Sequence, residues 1–83
     1  MPINAAPWIE RAAHVGGKSL AVLIARRLVR HEQVLKIPLI AIYATHSPII
    51  VRSMLRRMQA AGLLAYRIRS QWIEIAAWTA DVF

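Results

Sequence analysis

The stretch Thr45 to Leu64, reading THSPIIVRSMLRRMQAAGLL, limits the fold more than any other part of the chain because it carries both ends of one helix. Ser47 is a residue type that caps orphan N–H groups, and Pro48 suits the first helical position, where its missing N–H costs nothing. Gly62 follows Ala61 at the place where helices end in a left-handed residue. The spacing predicts a helix over about Pro48 to Ala61. At roughly 100° per residue, Val51, Met54, Leu55 and Met58 form one apolar stripe with Ala61 at its edge. The opposite arc carries Ile49, Arg52, Ser53, Arg56, Gln59 and Ala60, with Arg57 on the flank.

After the glycine the period changes. In Leu63 to Trp78, LLAYRIRSQWIEIAAW, the apolar Leu64, Tyr66 and Ile68 alternate with Ala65, Arg67 and Arg69, the pattern of a half-buried strand. Ser70-Gln71 forms a turn, and Trp72-Ile73-Glu74-Ile75 is rich enough in β-formers to return antiparallel. A helix therefore runs through a Gly-Leu exit into a basic hairpin.

Ser47 at the cap, Val51, Met54 and Met58 along one stripe, then Gly62-Leu63 and the hairpin, resemble a small winged helix-turn-helix DNA-binding protein of bacterial plasmid or phage type. Trp8, Gly17-Lys18 and Leu20 upstream extend the resemblance over most of the chain. It implies a mainly α domain with a small β-hairpin (α+β), three helices plus wing. It also implies double-stranded DNA as partner, transcription regulation as the role, and a homodimer on a two-fold site with the helix over 48–61 in the major groove. The wing departs from the family pattern in its short Ser70-Gln71 tip without Gly or Pro, which leaves Arg67 and Arg69 to reach phosphates.

The rest of the chain divides accordingly. Residues 1–16 read as an N-terminal arm with a short helix, Pro7 to His14, anchored by Trp8 and stopped by Gly16-Gly17; residues 17–78 form the winged domain, and 79–83 a tail. Lys18 to about Gln33 reads as a long helix with Leu20, Leu23, Ile24, Leu28 and His31 on its inner face, and Lys18, Arg26 and Arg30 on another. Pro38 opens a helix of about two turns ending near Ala44, with Thr45-His46 as the turn; β-branched Ile40 and Ile42 keep a strand as the alternative.

Eleven Lys and Arg against four Asp and Glu give a net charge of +7, which points to an anionic partner. The chain is 58% hydrophobic, and with its surplus of alanine this suggests that another chain covers some apolar surface. The longest run free of Asp, Glu, Lys and Arg, Ile37 to Val51, is broken by Pro38, Thr45, His46, Ser47 and Pro48 and falls short of the roughly 20 apolar residues that span a bilayer. The first residues lack the positive charge and apolar run of a secretory signal, and cysteine is absent. The expectation is a cytoplasmic protein with no membrane partner.

No catalytic set emerges. Gly17-Lys18-Ser19 matches the end of a phosphate-binding loop, but Ala12 occupies the place of its first glycine. Glu10, Glu32, Glu74 and Asp81 are scattered, and the histidines lack ligand spacing. The reading is a binding module and not an enzyme, with no cofactor, no metal and no small-molecule ligand. Its DNA-binding residues are Ser47, Ile49, Arg52, Ser53, Arg56, Arg57, Arg67 and Arg69. Arg52 and Arg56 suit guanine edges and Ile49 a thymine methyl; Ser47 and Ser53 bond phosphates, and the other arginines neutralise them. The alternatives are a protein-protein interaction module on the same scaffold and, more remotely, a basic domain lying on an anionic membrane.

Overall fold

In a computed structural model, which describes residues 5–31, 36–43 and 46–78, four helices share one apolar core with a three-stranded antiparallel sheet. The chain is therefore α+β. The order is α1 (Ala5–Ala12), α2 (Lys18–Val29), β1 (Lys36–Pro38), α3 (Leu39–Tyr43), α4 (Pro48–Ala60), β2 (Leu64–Arg69) and β3 (Trp72–Trp78). The sheet order is β1-β3-β2, which puts β3 in the centre. Among the described residues no helix is long and apolar enough to cross a membrane.

Helix α4 follows its sequence pattern closely. Pro48 stands in the first turn, and Val51, Met54, Leu55 and Met58 are buried. Ala61 is the C-cap and Gly62 adopts φ +78°. The Gly62 N–H donates to the Gln59 carbonyl at 2.9 Å and the Leu63 N–H to the Met58 carbonyl at 3.0 Å, the paired bonds of a Schellman ending. Two details differ from expectation. Ser47 occupies the N-cap without a side-chain cap bond, and its carbonyl takes the Val51 N–H. Ala61 is exposed, because the chain has already turned outward there.

The other helices are shorter or shifted in phase. Helix α2 ends at Val29 instead of near Gln33, and its buried stripe is Ala21, Ile24, Ala25 and Leu28. Leu20, Leu23 and His31 are only half-buried, while the small Ala21 and Ala25 take core positions on the helix that packs against α1. Helix α1 begins at Ala5, ahead of Pro7, and Gly16 and Gly17 shape the connection into α2, with Gly17 as its left-handed N-cap. A Cβ on Gly17 would lie 2.7 Å from the Met54 methyl, so glycine also lets α4 approach.

Strand β1 is the element that periodicity did not announce. Its three residues pair with β3 as Lys36↔Glu74, Ile37↔Ile73 and Pro38↔Trp72, so Pro38 closes a strand and α3 starts at Leu39. An edge strand tolerates proline because one side of it forms no ladder. The run over Ile40 and Ile42 is helical, which removes the strand alternative there. Strand β3 runs on to Trp78, beyond the expected Ile75, and the register shifts by one residue between Ala65 and Tyr66, where Ala76 of β3 is bulged out of the pairing. Met1–Asn4, Glu32–Leu35, Ala44–Thr45 and the 79–83 tail lie outside the described residues, and with them part of the arm and of the Thr45-His46 turn.

Trp8 joins these parts. Its indole is fully buried, Nε1–H donates to the Leu63 carbonyl at 2.9 Å, and its ring meets Trp78 edge-on at 5.0 Å. Thermal or urea unfolding should show Leu55→Ala costing about 2 to 5 kcal/mol, while Ile49→Ala changes stability little. Equal losses would mean that the helix phase is wrong. Trp8→Phe should cost about 1 to 3 kcal/mol, because it leaves the buried Leu63 carbonyl unpaired.

Candidate nucleic-acid interface

The buried stripe of α4 fixes what its other side presents. With about 100° between residues, Ile49, Arg56 and Ser53 lie on the ridge opposite the core, while Arg52 and Arg57 project on opposite flanks. Arg52, Arg56, Arg57 and Ile49 are exposed and Ser53 is half-buried; Ser47 is exposed at the cap. Six of the eight sequence-derived residues thus gather on one helix and its cap. The helix carries no acidic residue.

Its neighbours hold several of these side chains. On one flank the Arg52 Nε–H donates to the Tyr43 hydroxyl at 2.8 Å, tying α4 to α3. Helix α3 is itself tied to α2, since Arg27 Nη1 donates to the Ile42 carbonyl at 2.9 Å. On the other flank Arg57 reaches toward Gly16 and Gly17 at the start of α2, its Nη1 coming within 4.0 Å of where their Cβ atoms would lie. Gln59, assigned to the outer arc, proves to be a strut: its Oε1 accepts the Tyr66 N–H at 2.9 Å and joins α4 to β2. Burial raises the Tyr66 phenol above its ordinary pKa of 10.0, and the nearby positive charges of Arg56 and Arg52 oppose that rise.

On the hairpin the two arginines have different surroundings. Arg67 faces Glu74 across the ladder, and its Nε–H donates to Glu74 Oε2 at 3.0 Å. That exposed pair contributes little stability but occupies the cation. Arg69 pairs in register with Trp72 beside the turn, where Ser70 takes φ +54° in place of the glycine usual at such a position. Arg69 is therefore the hairpin cation nearest the tip.

Two grooves flank α4. One, about 550 Å³, runs between α3, the start of α4 and the hairpin tip, with Leu39, Ile40, Tyr43, Arg52, Gln71 and Trp72 among its walls. The other, about 390 Å³, lies toward α2 and is lined by Leu20, Ile49, Ile50, Met54 and Arg57. The first contains three residues that sequence reasoning missed: Ile40, 79% exposed, Trp72, 44% exposed, and Tyr43. Trp72 was legible as the partner of Arg69 across a two-residue turn. Nothing in the sequence links Tyr43 to Arg52, because that contact depends on the angle between two helices. Among the described residues no cluster of three or more His, Asp or Glu could hold a metal ion. Comparison of the chain with family models, curated proteins and solved structures found no match.

The Tyr66 environment provides a check on this arrangement. Its raised pKa favours the neutral phenol in the folded state, so the associated stability is present below the unfolded value and is lost as pH rises through the folded one. Ultraviolet titration of phenolate absorbance should show a component above 10.0 that Tyr66→Phe removes. Arg56→Ala should push that component higher still. No further rise would mean that Arg56 does not lie beside the ring.

Proposed function

We propose that this chain is a sequence-specific double-stranded DNA-binding protein and a cytoplasmic transcriptional regulator of winged helix-turn-helix type. Helix α4 lies in the major groove with the β2-β3 hairpin alongside, and two copies act on a two-fold site. The element order from α2 through β1, α3, α4, β2 and β3, with β1 paired beside β3, is compatible with a winged-helix layout. The observation that carries the reading is the outer face of α4, which offers three arginines and no acid. Arg52 and Arg56 read bases, Ser47 and Ser53 bond phosphates, and Arg57 and Arg69 neutralise them, with Arg67 secondary because Glu74 already holds it. A protein-interaction role is favoured by one specific observation, the exposed Ile40, Ile49, Ile50 and Trp72.

Binding to selected and scrambled duplexes across a salt series tests both readings. Affinity for DNA should fall steeply with salt, since each neutralised phosphate releases counterion; a flat dependence would favour the protein-interaction role. Arg52→Ala or Arg56→Ala should cost about 1 to 3 kcal/mol on the selected site and much less on scrambled DNA. Arg69→Ala should weaken both alike and lower the salt slope by about one unit. Glu74→Gln, which releases Arg67, should strengthen non-specific binding; if Arg69→Ala instead abolishes discrimination, the roles of helix and hairpin are reversed.

A further inference from the structure

Two of the largest exposed apolar side chains frame the start of α4. Ile49 stands on the ridge at 78% exposure, and Ile40 stands at 79% on α3, in the groove that also contains Pro48 and Arg52. Both are β-branched, so little side-chain freedom remains to be lost on contact. Ile40 is also fixed relative to Arg52, because Tyr43 one turn later on α3 accepts the Arg52 Nε–H. Isolated exposed isoleucines need no explanation. Ile40 shares its groove with Arg52, and Ile49 shares the ridge with Arg56 and its groove with Arg57, on a face whose charge would repel a second copy.

A partner for such a face must be anionic overall and present small apolar groups between its charges. The major groove of DNA does so at one kind of position, the thymine C5-methyl. We propose that Ile49 and Ile40 read thymine methyls on either side of the entry of α4 into the groove, so that the chain prefers thymine-bearing duplexes to otherwise identical ones lacking the methyl. This rests on the DNA-binding reading above and assigns to Ile40, on the preceding helix, a base contact of its own. Ile50, 51% exposed, lies about 100° round the helix from Ile49, off the ridge and on the Arg57 flank, and takes no part.

The test compares alternating dA-dT and dA-dU duplexes, equal in charge and differing in that methyl, bound by the unmodified protein at one salt concentration. Burying one methyl against isoleucine should favour the thymine duplex by about fourfold, and two by about tenfold or more. Ile49→Ala and Ile40→Ala should each bring the ratio down toward one, while Ile50→Ala leaves it unchanged; circular dichroism confirms that each variant is folded. Equal affinity for both duplexes, with steep salt dependence retained, overturns the methyl reading and leaves DNA binding standing. Failure to bind any duplex overturns the DNA-binding reading itself. If Ile49→Ala with Ile40→Ala converts a sedimenting dimer to monomer without changing the ratio, the apolar pair is a self-association surface and the proposal is wrong.

Discussion

The hydrogen bond from the Trp8 indole to the Leu63 carbonyl spans 55 positions of sequence and joins α1 to the corner where α4 becomes β2. That corner sets the angle between the arginine-bearing helix and the hairpin, so the geometry of the whole face depends on it. Leu63 is already committed twice there, since its N–H closes the Schellman ending of α4 and its carbonyl takes the indole. The Trp78 ring against Trp8 secures the far end of β3 to the same point. A buried, water-excluded bond of this kind derives its importance from the cost of leaving either partner unmade.

The core also decides where charge can go. Among the described residues no polar or charged side chain is buried, so every described cation is left at the surface. On α4 this crowds Arg52, Arg56 and Arg57 into two turns, and like charges four positions apart destabilise a helix by a few tenths of a kcal/mol, of order 0.2 to 0.5. The Tyr43 hydroxyl relieves part of that at Arg52, and Arg57 lies in the last turn, where the helix dipole favours a cation. Arg56 has neither help and sits beside the Tyr66 ring.

Much of this was legible from residue order because α4, β2 and the turn are defined by local signals. Proline and glycine mark the ends of α4, an apolar period fixes its phase, and alternation identifies β2. Strand β1 was hidden because three residues ending in proline have no period, and their strand character exists only through pairing with β3. The phase of α2 was misread for a related reason: Leu20 and Leu23 are more hydrophobic than Ala21 and Ala25, but close approach of α1 selects the smaller side chains. At the interface, the arginines and Ile49 were visible as one arc of a wheel. The pairing of Arg67 with Glu74, the Tyr43 anchor and the Gln59 strut depend on distances across elements.

Those hidden contacts change how charge is distributed over the surface. If all positive residues counted alike, the outer face of the sheet, with Lys36 and Arg67 in line across β3, would continue the basic surface of α4. Glu74 stands between them in register and takes the Arg67 guanidinium, so one of the two cations is neutralised and Lys36 keeps its charge. Unpaired positive charge also lies along α4 and at Arg69, and on the α3 side Arg52 shares a groove with Leu39, Ile40 and Trp72. The outward side of α4 is therefore a ridge on which Ile49 and Ser53 accompany Arg56, with Arg52 on one flank tied to α3 and Arg57 on the other beside α2, so its cations are spread across the ridge and not gathered on one line.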